Sequence, residues 1–270
     1  MAGFSGIADL YTKMIDEGKR FEFPFLKTST AVEATGVPHS LWNAATLPAA
    51  GGAPAGTPGA AYTNAGISFN NTSTLTKHLI HMSATINSSA GSFGNLVLYD
   101  RLVGVGGISL ASTGNKTVSS AALTRYTSGM GVQAWLEVST ATTVTAPVVT
   151  MNSYTDEDGN TGQTGTAVTF PAVATNVDAM VQLPLGTDQG VRAVSTINVG
   201  TAATAGVANL VLLYPLAWIP VSLGNLTSVL YVLNILNPAR IYDGASLGFI
   251  YYPGAATSPV FIGNVEVAYG

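Results

Sequence analysis

The sequence predicts an all-β protein, a jelly-roll-like β-sandwich with an N-terminal amphipathic helix and an extended arm. After residue 62 come short runs rich in β-branched and aromatic residues, separated by Gly, Asn, Pro or Asp. Helix-length segments do not alternate with these runs, which argues against a parallel α/β sheet. We therefore predict a helix and arm over residues 1–61 and a β-sandwich body over residues 62–270.

The N-terminal segment "SGIADLYTKMIDEGK" has helical periodicity. Its apolar residues recur at i, i+3, i+4, i+7 and i+8, with Ser5 as the predicted N-cap and Gly18 as the predicted end. This apolar stripe is the candidate partner-binding site, although the same pattern also fits a helix packed on its own domain. The candidate residues are Ile7, Leu10, Tyr11, Met14 and Ile15.

The segment after the helix is predicted to be an extended arm. Charged residues are concentrated in the first 33 positions, whereas 44–61, "AATLPAAGGAPAGTPGAA", is uncharged and low in complexity. Its Pro and Gly content excludes a helix or an interior strand. We expect this linker to be ordered, if at all, by a neighbouring molecule.

The body is predicted to contain many short strands. The long uncharged stretch 207–236 is interrupted by prolines, so two strands and a short buried helix over 225–236 explain it better than a membrane span. The segment "HLIHMSATI", which begins at residue 78, is also predicted to be a strand. The other predicted strands are 95–103, 132–140, 144–155, 166–173, 178–185, 191–199, 209–221, 246–252 and 259–269.

The composition indicates which partners the chain can have. Charged residues are only 9 % and hydrophobic residues 47 %, so much of the surface is expected to meet other protein. A monomer with a neutral Ser/Thr/Asn-rich surface is the alternative. The net charge of −4 and the lack of a basic run argue against a nucleic-acid partner. No membrane partner and no secretory signal are predicted, and the absence of cysteine fits a reducing cytoplasm.

The acidic segment "NSYTDEDGNTGQTG" is predicted to be a turn between two strands. Asp158–Gly159 is a strong hairpin signal, because Gly accepts the positive φ that tight turns require. The spacing of Asp156, Glu157 and Asp158 does not match a calcium-binding loop of the EF-hand kind. An exposed turn also offers no burial that would shift a carboxyl pKa for catalysis.

Other candidate chemistry is sparse in this sequence. His78 and His81 would face opposite sides of a strand, which disfavours a zinc site. The glycine-rich runs "GVGGISL" (104–110) and "GMGV" (129–132) do not match phosphate-binding loops and are interpreted as turns. An enzyme would need converging groups, and the scattered carboxylates are Glu137, Asp243 and Glu266. We predict no catalytic residue, no cofactor and no metal.

Several segments resemble head decoration, or cement, proteins of tailed bacteriophages. The most characteristic piece runs from Leu123 to Val132, and the similar segments together span most of the chain. The linker 44–61 departs from the pattern in its Ala/Gly/Pro content. The segments are "GIADLYTKMIDEGK", "LYDRLVGVGGISL", "ALTRYTSGMGVQAWLEV", "YTDEDGNTGQTG", "ARIYDGASLGFIYY" and "PVFIGNVEVAYG".

The resemblance implies a structural virion protein that binds the outside of a capsid and stabilises it without catalysis. The implied partners are the major capsid protein and copies of the chain itself, as a homo-oligomer such as a trimer. The implied location is the capsid surface of a virion made in the bacterial host cytoplasm.

Alternatives are another virion component, such as a major capsid, tail or receptor-binding protein, or a secreted adhesive protein. A major capsid protein of the usual tailed-phage kind would show a long helix, which the sequence lacks. A receptor-binding protein would expose aromatic residues, whereas the aromatic residues in the predicted strands are expected to lie in the core. They are Trp135, Trp218, Tyr251 and Tyr252.

Overall fold

The regular secondary structure of the described residues is almost entirely antiparallel β-strand. A computed structural model describes residues 3–29, 33–87, 92–142, 146–171, 176–222, 228–231 and 238–270. The sheets form a sandwich-like arrangement with one short N-terminal helix, which confirms the predicted all-β class.

One helix and seventeen strands make up the described elements. The helix α1, Ile7–Tyr11, continues into a π-helical turn at Thr12–Asp16. The strands are β1 Arg20–Thr28, β2 His39–Ser40, β3 Thr46–Leu47, β4 Ala60–Ala61, β5 Lys77–Ile86, β6 Phe93–Ser109, β7 Gly114–Thr117, β8 Gln133–Thr140, β9 Val148–Asp156, β10 Val168–Thr169, β11 Met180–Leu183, β12 Val191–Thr201, β13 Val207–Ser222, β14 Ser228–Tyr231, β15 Arg240–Ile241, β16 Leu247–Pro253 and β17 Val260–Tyr269.

The strands form three sheets, which we call sheets I, II and III. Sheet I has the order β14-β5-β17-β1-β3, with β15 also pairing with β5. Sheet II has the order β11-β8-β13-β6-β16-β2, with β4 pairing with β6. Sheet III has the order β10-β9-β12-β7.

Two long strands at the centre of sheet II pack against both of the other sheets. β6 has 17 residues and β13 has 16, and they pair from Phe93↔Ser222 to Val207↔Ser109. Near one end, side chains such as Leu210 pack against sheet III; near the other end, side chains such as Ile219 pack against sheet I. A single pair of strands therefore contributes to the two largest hydrophobic cores, and its other face supplies Val97 and Val211 to a third, smaller one.

The stretch predicted as two strands and a helix folds differently. The predicted strand 209–221 is confirmed as β13, which runs through Pro215 and Pro220 as one strand where two were expected. Its neighbour β8 pairs only with residues 207–213, so both prolines lie beyond that pairing, where a missing amide N–H breaks no bond to β8. The helix predicted over 225–236 is wrong at Ser228–Tyr231, which pair with β5; the rest of that range lies outside the described residues. Within the described residues, no helix is long and apolar enough to cross a membrane.

The glycine-rich run 104–110, interpreted as a turn, instead belongs mostly to β6. Its glycines make room for the Pro-rich linker. A Cβ on Gly104 would lie 2.7 Å from Pro54 Cβ, and one on Gly106 would lie 2.6 Å from the Pro54 carbonyl oxygen. The other glycine-rich run, at 129–132, is a turn as predicted, since Gly129 and Gly131 both have φ of 74°.

The linker 44–61 is ordered by its own chain, contrary to the prediction that a neighbour would order it. The Gly106 amide donates to the Ala55 carbonyl at 2.6 Å, and the Trp42 indole N–H donates to the Gly52 carbonyl at 2.9 Å. The buried Lys27 ammonium donates to the carbonyls of Ala44 and Pro48, both at 2.8 Å. These bonds satisfy backbone groups that an irregular segment cannot pair within itself.

Strand β1 was not predicted. It lies between β17 and β3 in sheet I and pairs with β17 along its whole length, from Arg20↔Ala268 to Thr28↔Val260. The alternation of Phe21, Phe23 and Phe25 is the period-2 signal that could have found it. Residues 20–28 thus belong to a sheet of the body, while the division of the chain at residue 61 stays a prediction.

Candidate partner-binding surfaces

The N-terminal helix is attached to the body through part of its apolar side. Gly6 is the N-cap residue, and the Asp9 carboxylate accepts the Ser5 amide N–H at 2.9 Å. Leu10 is fully buried, and the partly buried Met14 packs with it in a small core. The other members of that core are Phe4, Ile80 and Ala268.

The other predicted residues of the helix face solvent. Ile7 is 55 % exposed, Tyr11 47 % and Ile15 71 %, and the spacing of four residues places them in one line. We call these three residues the helix stripe. Large apolar side chains that stay exposed in a row are typical of a contact surface. The five predicted residues therefore divide into two that anchor the helix and three that are free to contact a partner, and their partner-binding role stays a prediction.

A second exposed apolar patch lies on sheet II, on the face away from the two cores. Trp218 is 51 % exposed, and its ring centroid is 5.0 Å from that of Tyr252. Phe93 is also exposed, and the cross-strand neighbours Asn95 and Pro220 lie between the aromatic residues. We call these five residues the sheet patch. It contains no charged residue, so it suits an uncharged surface of a partner.

The sequence prediction for the aromatic residues holds only in part. Trp135 and Tyr251 are buried as expected, whereas Trp218 is largely exposed and Tyr252 is half-buried. Alternation along β13 puts Trp218 on the opposite side from Ala217 and Ile219, which are in the core. The sequence contains no signal that shows which side of a strand a neighbouring layer covers.

Acrylamide quenching of tryptophan fluorescence should report on the sheet patch. Trp42 is 2 % exposed and Trp135 3 %, so Trp218 should account for most of the quenching. We expect Trp218→Phe to abolish most of the Stern–Volmer slope. An unchanged slope in this variant would show that Trp218 is covered in solution.

The acidic segment forms the predicted turn, and two of its carboxylates accept hydrogen bonds. Gly159 has φ of 92°, and the Asp156 carboxylate accepts both the amide and the side-chain N–H of Asn160 at 2.8 Å. The Glu157 carboxylate accepts the amide N–H groups of Gln189 at 2.9 Å and Gly190 at 3.0 Å. These donors, that of Gln189 most of all, hold the pKa of Glu157 below its ordinary value. Asp156 thus stabilises the turn itself, and Glu157 fastens the turn to the segment around Gln189.

A buried ion pair lies at the centre of sheet II. The Arg101 guanidinium donates two parallel hydrogen bonds to the Glu137 carboxylate, at 3.0 and 2.7 Å, and both side chains are excluded from solvent. Burial alone would raise the pKa of Glu137, but the charge of Arg101 holds it below its ordinary value. The rings of Trp42 and Tyr62 lie 4.8 and 5.0 Å from the guanidinium carbon. The pair is thus enclosed by aromatic residues from the linker region.

Asp100, which precedes Arg101 in the sequence, forms a second buried ion pair with Arg125. The Asp100 carboxylate accepts two hydrogen bonds from Arg125, both at 2.9 Å, and a third from the Ser246 amide at 3.0 Å. Burial raises the pKa of Asp100 in spite of Arg125. Next to Arg125, the ring of Tyr126 stacks on Tyr214 with centroids 4.0 Å apart. The segments "LYDR", "RYT" and "WLEV", which lie within the pieces that resemble decoration proteins, therefore meet at these two buried ion pairs.

The scattered carboxylates do not meet in one site. Glu137 lies in its buried pair, Glu266 contacts Arg20 at 3.3 Å on sheet I, and Asp243 contacts Lys77 at 2.6 Å. His78 and His81 lie on strand β5, as predicted. Among the described residues, no group of three or more His, Cys, Asp or Glu side chains is placed to hold a metal ion.

No protein-family model and no curated protein matches the chain. The solved structures similar to it include the VP2 subviral particle of infectious bursal disease virus, which is 9 % identical. That similarity covers 96 % of this chain and 86 % of the VP2 chain, with a TM-score of 0.17. The structure of the Gt strain of the same virus is 10 % identical over 96 % of this chain and 86 % of that chain, with a TM-score of 0.18. With TM-scores this low, the weak similarity to viral capsid proteins supports no statement about the fold or the function of this chain.

Proposed function

We propose that this chain is a structural virion protein that binds the outside of a phage capsid and stabilises it. The observation that carries the proposal is the helix stripe, which leaves Ile7, Tyr11 and Ile15 exposed on a helix that Leu10 anchors to the body. A stripe held in this way is ready to bury apolar area against a second protein with little further ordering. In this role the chain has no reaction to catalyse, and it acts with the major capsid protein and with copies of itself.

Weak contacts of this size are sufficient when many copies act together. Burying a side chain such as Ile contributes about 1.5–3 kcal/mol when it starts fully exposed, and these three start about half exposed. The three contacts together would give a modest affinity for one copy. Repetition over a shell multiplies such affinities because each bound copy holds the next contact at high effective concentration.

The test replaces the helix stripe and measures binding to virions. We expect the triple variant Ile7→Ser, Tyr11→Ser, Ile15→Ser to bind phage particles stripped of this protein about 100-fold more weakly than the parent. Co-sedimentation with the particles measures the bound fraction. The fold should be retained, because exposed substitutions of this kind change stability by roughly 0.5 kcal/mol or less.

Trp218→Ala provides the matched control. It also removes a large exposed apolar side chain, but from the sheet patch, and we expect it to bind the particles like the parent. Equal binding by the triple variant and the parent would refute the role of the helix stripe. Loss of binding only in Trp218→Ala would move the contact to the sheet patch.

The sheet patch favours a second candidate function, binding to the host surface. Exposed aromatic residues such as Trp218 and Phe93 are typical of surfaces that recognise a partner. In this case fluorescently labelled protein should be retained on host cells, and Trp218→Ala should reduce the retention while the helix-stripe variant does not. Equal retention of all three proteins would exclude this role for the patch.

A further inference from the structure

A polar pocket opens where the start of β5 meets β15. Its volume is about 220 Å³, and residues from three separate parts of the chain line it. Thr74, Thr76 and Lys77 come from the segment that leads into β5, Thr124 from the loop before β8, and Arg240 and Asp243 from the region of β15. The pocket therefore brings together hydroxyl groups and charged groups that are distant in the sequence.

Two of the three positively charged side chains that line the pocket are already paired with a carboxylate. The Asp243 carboxylate is saturated by the Lys77 ammonium at 2.6 Å and by the amides of Thr72 and Ser73, both at 3.1 Å. These bonds hold the pKa of Asp243 below its ordinary value against the opposing effect of burial. The Arg125 guanidinium, which also lines the pocket, is occupied by Asp100.

Arg240 differs from these groups, because its side chain is exposed and forms no ion pair with any residue in the described ranges. The pocket therefore presents one uncompensated positive charge.

The position of Arg240 is fixed by its surroundings. Its backbone pairs with His78 of β5, and its carbonyl accepts the Tyr126 hydroxyl at 3.1 Å. Its guanidinium lies 4.4 Å from the ring centroid of Tyr242, a cation–π contact. Tyr126 in turn packs edge-on against Tyr242, with centroids 4.7 Å apart. A cation held in this way loses little freedom when it binds a ligand.

We propose that this pocket binds an oxyanion, either a carboxylate or a phosphate group. The guanidinium of Arg240 matches the two-oxygen edge of such a group, and the hydroxyls of Thr74, Thr76 and Thr124 can donate to its remaining oxygens. The volume admits a small group, since one water occupies about 30 Å³ in the liquid. The oxyanion is either a free ion or an acidic side chain of a neighbouring protein, and the site does not depend on the proposed virion function.

The test measures thermal stabilisation of the full chain by sodium phosphate and by sodium acetate. At about 50 mM phosphate we expect the Tm of the parent to rise by about 3–5 °C above that in sodium chloride of equal ionic strength. Arg240→Gln should retain only the general effect of phosphate as an excluded salt. Arg20→Gln is the matched control, because it removes an exposed arginine from sheet I, and it should respond like the parent.

A second variant tests the pocket with Arg240 in place, so that a lost response cannot be attributed to unfolding of Arg240→Gln. Thr124→Val removes one hydroxyl from the pocket at an exposed position, and we expect it to give a rise in Tm between those of the parent and Arg240→Gln. Equal rises in the parent, Arg240→Gln and Arg20→Gln would overturn the proposal.

Analytical sedimentation of the same samples distinguishes a free ion from an acidic side chain of a second copy as the bound oxyanion. If an acidic side chain of a second copy occupies the pocket, phosphate and Arg240→Gln should each shift the chain from assembled to monomeric. If the ligand is a free ion, neither should change the sedimentation.

Discussion

Replacing Arg101 with methionine is expected to lower the free energy of unfolding by about 3–5 kcal/mol. The substitution leaves the Glu137 carboxyl group fully buried and without the charge and the two hydrogen bonds that Arg101 supplies, so it must either stay ionised at a large cost or take up a proton. A buried carboxylate without a charged partner carries a large desolvation penalty, which the remaining hydrogen bonds from Ser40 and Asn209 offset only in part. Guanidinium chloride denaturation of the parent and the variant would measure the difference.

Two further variants separate the lost pair from general damage. The double variant Arg101→Met, Glu137→Met removes both charges, and it should recover much of the loss, because replacing a whole buried pair with apolar residues is often close to neutral. Arg20→Met breaks the exposed pair with Glu266 and should cost no more than about 1 kcal/mol. A loss for Arg101→Met no larger than that for Arg20→Met would show that the buried pair does not stabilise the fold.

Replacing Gly106 with alanine is expected to loosen the linker 44–61 and to cost about 1–3 kcal/mol. The added Cβ would lie 2.6 Å from the Pro54 carbonyl oxygen and 3.1 Å from that of Ala55. Because both contacts are to backbone, the linker must move away from β6, which breaks the hydrogen bond from the Gly106 amide to Ala55. Hydrogen–deuterium exchange should therefore rise over residues 50–59, together with a lower denaturation midpoint.

Gly200→Ala is the matched control for this prediction. Gly200 also lies in a strand, β12, but a Cβ there would meet its nearest atoms only at 3.8 Å, an ordinary van der Waals contact. We expect its stability to change by roughly 0.5 kcal/mol or less. If Gly106→Ala leaves exchange over 50–59 unchanged, then the linker is not held by its close approach to β6.

The strands were predictable where apolar residues are dense and breakers mark the ends. The segments 132–140 and 246–252 lie within one residue of β8 and β16. The predicted strand 209–221 is confirmed by β13, but the expected division of this stretch into two strands at Pro215 and Pro220 is wrong. A proline interrupts a strand only when its missing amide N–H faces a partner strand. Which edge of β13 is paired depends on where β8 ends, and that is a property of the folded sheet.

The order of the linker 44–61 could not be predicted from its own sequence either. Its Ala, Gly and Pro residues have weak preferences of their own, so the sequence indicated only an extended segment. Its order comes from residues elsewhere in the chain, such as Gly104 and Gly106, which leave space for it, and Lys27, which binds its carbonyls. Such pairings join residues that are far apart in the sequence, and no local pattern reveals them.

The candidate contact surface was partly predictable. Helical periodicity identified all five apolar residues of the N-terminal helix, but periodicity gives only the direction of an apolar face and does not show how much of it the body covers. Leu10 and Met14 are packed against Ile80 and Ala268, while the helix stripe stays in solvent. The pocket at Arg240 was not anticipated, since its lining residues come from three distant segments.

The sequence by itself determined the all-β class, most of the strands and the acidic turn, because these depend on local alternation and on the conformational preferences of Gly, Pro and Asp. Only the tertiary structure decided which apolar side chains are buried and that Arg101 and Arg125 are paired in the interior. It also decided that the linker is held by hydrogen bonds to Gly106, Trp42 and Lys27 of the same chain. The physical reason is that burial and ion pairing depend on which distant segments come together, and in this chain most strand pairs join residues far apart in the sequence.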